Sequence, residues 1–93
     1  MNNGRRKELR NLAHKLKSNT NQNDLEFIAS IKNELESILY EEESYMDNIP
    51  ENLQGSYRYQ MAEDACDNIE SAIDALNENE LNEAIDYIYN AAV

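Results

Sequence analysis

The fold of this chain is decided by residues 25–56, which read LEFIASIKNELESILYEEESYMDNIPENLQGS. The first part of this stretch repeats apolar residues at steps of three and four, which places them on one helical face and forms a seam between packed helices. We therefore predict a long helix over about 25–47. Glu42 stands where the seam calls for an apolar side chain, so either the seam opens to water there or the carboxylate has a partner. The seam consists of Ile28, Ile31, Leu35, Ile38, Glu42, Tyr45 and Ile49.

Pro50 marks the end of this helix, because the residue before a proline is disfavoured in helical backbone angles. Residues 50–53 are predicted to form a single helical turn with proline at its first position. Gly55 is expected to adopt the left-handed conformation that stops this turn, and Ser56 is expected to cap the next helix. A helix, a short loop and a second helix result.

Three more helical segments follow from the same periodicity. A helix over about 57–77 has several alanines on its apolar face, a break is predicted near 77–79, and a short helix covers about 80–92. Before the long helix, a segment over about 5–17 is followed by a polar connector that ends at Asp24, a good N-cap.

The predicted fold class is all-α, a long antiparallel helical hairpin with short flanking N- and C-terminal helices. We predict two units, a basic N-terminal helix with its polar connector (1–23) and an acidic helical-hairpin domain (24–93). Leu25, Leu39 and Met46 make the apolar stripe of the long helix wider than one partner helix covers. This width predicts a homodimer that completes a four-helix-like bundle.

Charge is divided unevenly along the chain. The first 17 residues contain six basic side chains and one acidic one, a balance of +5, whereas the remaining residues carry −16, which gives −11 in total. Three interpretations of the basic arm stay open: a clasp on the acidic hairpin of its own chain or of a dimer mate, a mobile arm, or a contact with nucleic acid through Arg5, Arg6 and Arg10. The acidic body repels phosphates and so disfavours nucleic acid as a partner.

The acidic helices favour a partner protein with a basic surface, because rows of carboxylates steer such an encounter. The run Glu41, Glu42 and Glu43 is the candidate contact. Tyr57-Arg58-Tyr59 has three readings: packing within the hairpin, a protein interface, or a stacking platform with a phosphate-pairing guanidinium that suits a nucleotide.

Catalytic and metal-binding chemistry has little support in the sequence. Cys66 is the only cysteine and has acidic neighbours that raise a thiol pKa, and His14 is the only histidine. No Glu-x-x-His pair, calcium loop or glycine-rich phosphate loop occurs, so we expect neither an enzyme nor a cofactor or metal. No signal peptide or membrane span is expected, which favours the cytoplasm.

The loop Asn48–Ser56 (NIPENLQGS), followed by Arg58-Tyr59 and Ala62-Glu63, resembles a family of small acidic helical proteins of bacteriophages and prophages. The resemblance covers about residues 31–76. It implies a phage-encoded accessory protein in the host bacterial cytoplasm that binds and inhibits a host or defence protein, or, alternatively, an oligomeric sponge that sequesters a nucleotide second messenger. A structural or assembly factor is a third alternative. The resemblance implies no catalytic residues.

Overall fold

The computed structural model of the protein describes residues 1–18 and 24–93, and the predicted all-α fold is confirmed for them. The four helices are α1 (Asn3–Ser18), α2 (Leu25–Asp47), α3 (Tyr57–Asn77) and α4 (Leu81–Ala91), with a 3₁₀ turn over Glu51–Leu53. The bounds predicted for α2 and α3 match, and those of α1 and α4 differ by one or two residues. The predicted polar connector and the boundary drawn at residue 23 involve residues outside the described ones.

The helix starts follow the capping chemistry expected from the sequence. The Asp24 carboxylate accepts a hydrogen bond from the Phe27 N–H at 3.1 Å, and the Ser56 hydroxyl accepts one from the Tyr59 N–H at 3.3 Å. Each bond satisfies a backbone donor that has no partner within its helix. The predicted turn is present as a 3₁₀ turn, but it begins at Glu51, and Pro50 is its N-cap residue rather than its first residue.

The prediction of a left-handed Gly55 is wrong. The turn closes with ordinary backbone angles, because the Ser56 N–H donates to the Leu53 carbonyl at 3.0 Å, so no positive φ is needed. The left-handed residue is Asn79, with φ of 60°. The Glu80 N–H donates to the Ala75 carbonyl at 2.8 Å around it, which forms a Schellman motif and produces the predicted break between α3 and α4.

One apolar core joins all four helices. α3 contacts both α2 and α4, while α1 lies mainly against α4 and makes fewer contacts with α2. Alanines on α3 let its neighbours approach closely. The basic arm is therefore docked on its own chain, and its apolar residues share the core of the acidic helices. This core contains Leu9, Leu12, Ala13, Leu16, Ile28, Ile31, Leu35, Ile38, Ile69, Ala72, Ala75, Leu76, Leu81, Ala84, Ile85, Ile88, Ala91 and Ala92.

The molecule is elongated, with extents of 47 × 20 × 18 Å. The 23-residue α2 alone spans about 35 Å at 1.5 Å per residue, so it sets the long dimension. We call residues 45–66, which comprise the end of α2, the loop and the start of α3, the tip. None of the tip residues belongs to the main core, although Ile49, Ala62, Ala65 and Cys66 are buried there.

Candidate functional site

Glu42 faces inward and has a partner, which settles the two readings that its position in the seam left open. Its carboxylate is fully buried, and the Arg5 Nε donates to its Oε1 at 3.0 Å. The guanidinium of Arg5 also lies 5.7 Å from the ring centroid of Tyr45, a cation–π contact. The pair ties α1 to α2 at the boundary between the core and the tip.

The second oxygen of Glu42 has only a charged neighbour. The Met1 amino nitrogen lies 3.2 Å from Oε2, within ion-pair distance, but this contact lacks hydrogen-bond geometry and Oε2 accepts no hydrogen bond. Two positive groups therefore compensate one buried carboxylate, which water cannot reach. Glu42 is part of the internal structure, and of the run 41–43 only Glu41 and Glu43 are exposed.

Cys66 lies close to the Arg5–Glu42 pair, and its thiol has low reactivity. Burial raises the pKa of its thiol to about 12, with further contributions from the charges of Glu42 and Glu43. Because the thiolate is the reactive form, the thiol is a poor nucleophile and a poor metal ligand at neutral pH. The sequence predicts a raised thiol pKa from acidic neighbours, and the structure adds burial as its largest cause.

Arg6 and Arg10 reach the carbonyl end of α4. The Arg6 Nε donates to the Val93 carbonyl and an Arg10 Nη donates to the Ala92 carbonyl, both at 3.4 Å. These bonds are long, yet they place positive charge where the dipole of α4 is negative. Both arginines therefore help to hold α1 on its own chain. Arg10 is still largely exposed, and so are Lys7 and Lys15.

The remaining carboxylates form an extended acidic surface. Of the nineteen acidic side chains, all except Asp24 and Glu42 are exposed. Glu34 and Glu41 of α2 lie along a groove of about 270 Å³ that α1 borders with Lys15. Other carboxylates follow one another along α3, namely Glu63, Asp64, Asp67, Glu70 and Asp74.

The structure does not gather Tyr57, Arg58 and Tyr59 in one pocket. Tyr57 is 79% exposed and lines a groove between α3 and α4, whereas Arg58 lines a different groove of about 350 Å³ beside the loop. Tyr59 is half-buried. Neither groove contains both Tyr57 and Arg58, so neither can hold a flat ligand that stacks on the tyrosines and pairs with the arginine.

The groove between α3 and α4 is a feature that the sequence reasoning missed. It has a volume of about 410 Å³ and brings Tyr57 and Met61 of α3 next to Ala91 and Val93. The available signal was the four-residue spacing of Tyr57, Met61 and Ala65 combined with a final helix much shorter than α3.

Neither a cluster of metal-binding side chains nor a membrane-spanning helix occurs in the parts of the chain that the structure describes. Within residues 1–18 and 24–93, no group of three or more His, Cys, Asp or Glu side chains is placed to hold a metal ion. None of the helices over the same residues is long and apolar enough to cross a bilayer. No protein-family model, curated protein or solved structure matches the chain.

Proposed function

We propose that the chain is a non-enzymatic, acidic helical protein that acts by binding another protein. The observation that carries this proposal is the distribution of charge. Seventeen carboxylates, all except Asp24 and Glu42, are exposed on the helices and their connections, and six of the eight basic residues lie on α1. Carboxylates held on packed helices create a lasting negative potential, which speeds encounter with a basic surface and disfavours acidic competitors.

The proposed partner is a bacterial protein with a basic surface, and the proposed effect is inhibition of that protein. The basic surface follows from charge complementarity. The inhibitory role and the host bacterial cytoplasm follow from the resemblance of the NIPENLQGS loop to phage accessory proteins. The contact includes Glu41 and Glu43, with Glu42 supporting them from inside through its pair with Arg5.

An antiparallel α2–α3 hairpin and a homodimer are also part of the proposal. α2 and α3 are in contact and joined by the short segment 48–56, which supports the hairpin. For the dimer, Leu25 and Tyr40 of α2 are 80% and 73% exposed, so this helix offers apolar contacts to a second copy. Leu39 packs on the chain's own core, which makes the dimer interface narrower than the sequence pattern predicts. Sedimentation analysis of the chain and of an L25D/Y40D variant measures this association.

The test of the proposed function begins with capture from bacterial lysate by the full chain at low salt. Association of the identified partner is then measured for the wild type, for E41K/E43K and for a matched control, E78K/D86K, which has the same net charge. We expect E41K/E43K to slow association several-fold more than the control at low salt, because exposed charges act within a Debye length of about 10 Å. Association that depends on neither salt nor these substitutions contradicts the proposal.

Nucleotide sequestration is the competing function, and a thermal-shift series with cyclic and linear nucleotides separates the two. A ligand that binds only the folded state raises the unfolding temperature. We expect no shift, since Tyr57 and Arg58 line separate grooves and the groove of Tyr57 also contains Asp64 and Asp67. A shift that R58A abolishes would establish the sponge instead.

A further inference from the structure

α4 accompanies only part of α3. With 11 residues against 21, α4 is about 16 Å long and α3 about 31 Å at 1.5 Å per residue. The last residues of α4 lie beside the middle of α3, and the groove of about 410 Å³ opens where α4 stops. The first turns of α3 therefore continue past the end of their neighbour, and one side of them is left uncovered by the residues that the structure describes.

The floor of this groove is apolar. Tyr57, Met61 and Ala65 follow one another at four-residue steps along α3, the spacing of one helical face. Val93 lies opposite them, and both Tyr57 and Val93 are 79% exposed. A row of apolar side chains with an open ring at one end is suited to receive the apolar face of another helix.

The rim of the groove is acidic. Asp64 and Asp67 line it together with neutral amides, and none of its lining residues is basic. Further carboxylates of α3, Glu63 and Glu70, are exposed next to this rim. The groove thus combines an apolar floor with negative charge on its edge, and any occupant has to bring both apolar side chains and positive charge.

We propose that this groove binds a basic amphipathic helix of the partner protein, about three turns long, along the line that α4 leaves free. The inference rests on the proposed function, which supplies the basic partner, and adds a second contact besides Glu41 and Glu43, with a stated place and shape. Charge selects this occupant over the acidic helices of a second copy, because residues 24–93 contain only Lys32 and Arg58 as basic residues; the proposed dimer instead uses Leu25 and Tyr40 of α2. The chain already holds one helix of this chemistry, since α1 docks through leucines and places Arg6 and Arg10 at the end of α4.

The experiment uses the isotope-labelled full chain and a synthetic helical peptide of leucine, alanine and lysine, about four turns long. At low salt we expect peptide-induced changes in the amide spectra to concentrate on Tyr57, Met61 and Asn90. The D64K/D67K variant should bind about tenfold more weakly, as expected for loss of close charge pairs, and E78K/D86K serves as a control with the same net charge. Y57D is a second variant, and its exposed position on α3 leaves the fold intact.

The possible results distinguish failure of the groove proposal from failure of the proposed function on which it rests. Changes confined to the α1–α2 side, which E41K/E43K weakens and D64K/D67K does not, overturn the groove and leave an acidic binding protein. Absence of binding to the peptide at any surface counts against both. Self-association that D64K/D67K or Y57D abolishes means that a second copy occupies the groove, which also overturns the inference. Peptide-induced spectral changes at the groove that D64K/D67K and Y57D both reduce, and that the control variant does not reduce, establish the groove as the binding site.

Discussion

The region where four helices meet and the two-helix tip use the same amphipathic pattern but differ in what surrounds it. In the four-helix region, Leu35 and Ile69 are completely buried by neighbours from several helices. In the tip, Ile49 and Cys66 are buried outside that core, and Leu53 and Tyr57 are largely exposed. A helix–helix contact alone covers one stripe, so the tip has fewer apolar contacts to lose when it opens. The tightly packed core therefore lies in the four-helix region, whereas exposed apolar side chains that a partner can contact lie in the tip.

Truncation of one buried residue in each region tests most directly whether the tip is packed less tightly than the four-helix region. We expect L35A to lower the free energy of unfolding by about 4 kcal/mol, since it removes a fully buried leucine and leaves a cavity. I49A in the tip should cost about 2 kcal/mol, because its surroundings have more freedom to relax. Urea unfolding monitored by circular dichroism measures both. L53A, at a position 49% exposed, is the control and should change stability by less than about 0.5 kcal/mol. Equal losses for L35A and I49A would mean that the tip is as tightly packed as the core.

The buried ion pair between the two regions gives the next effect. R5A leaves the Glu42 carboxylate buried with only the Met1 amino group near it, and we expect a loss of about 3 kcal/mol, at the low end for a broken buried pair because the Arg5 side chain is 14% exposed. The paired replacement R5M/E42L should recover most of that loss, since it removes the buried charge and keeps the volume. Chemical denaturation of the wild type, R5A and R5M/E42L measures both differences in the free energy of unfolding. If R5A is as stable as the wild type, the carboxylate has reached water and the pair does not tie α1 to α2.

Cys66 offers a probe of the tip alone. Because its pKa is raised to about 12, the thiolate fraction at neutral pH is very small, and we expect alkylation at least about a hundredfold slower in the native chain than in urea. Mass spectrometry of iodoacetamide-treated samples measures the two rates. If the tip opens without the core, the native rate should rise in I49A more than in a core variant that destabilises the chain equally. A native rate close to that in urea would show that the tip is already open.

The smallest effect is expected at the junction of α3 and α4, far from the tip. A hydrogen bond with Glu83 and the charge of that residue raise the pKa of Glu80, so ionisation of Glu80 opposes folding. The stability that the protonated form contributes is complete below the ordinary glutamate pKa and is lost as pH rises through the raised one. E80Q should therefore raise the melting temperature slightly at pH 7 and leave it unchanged at low pH. Melting curves across this range test the sign, and a lower melting temperature for E80Q at pH 7 contradicts it.

The features of the fold that were predicted correctly are those that depend on neighbouring residues in the sequence. Periodicity located α2 and α3, and the caps at Asp24 and Ser56 fixed their starts, because each signal is contained within a few neighbouring residues. The conformations of Gly55 and Asn79 could not be assigned in the same way. Whether a turn needs a positive φ depends on how the flanking helices are directed, and residue type alone does not show this.

The candidate site was predicted less completely, because it depends on pairs of distant residues. The sequence marked Glu42 as anomalous but could not identify Arg5, 37 residues away, as its partner. It grouped Tyr57 with Arg58 because they are adjacent, although neighbours on a helix point about 100° apart and here line different grooves. The groove of Tyr57 arises from the unequal lengths of α3 and α4, and only their packing reveals it.

The docking of α1 on α4 has a consequence for synthesis of the chain. Translation delivers α1 before α2, α3 and α4, yet the surface that covers Leu9, Leu12 and Leu16 is completed only when the final helix has emerged. The apolar face of the basic helix α1 therefore remains partly unburied while the acidic segments are synthesised. Until α4 has emerged, these leucines lack part of the apolar surface that buries them in the folded chain.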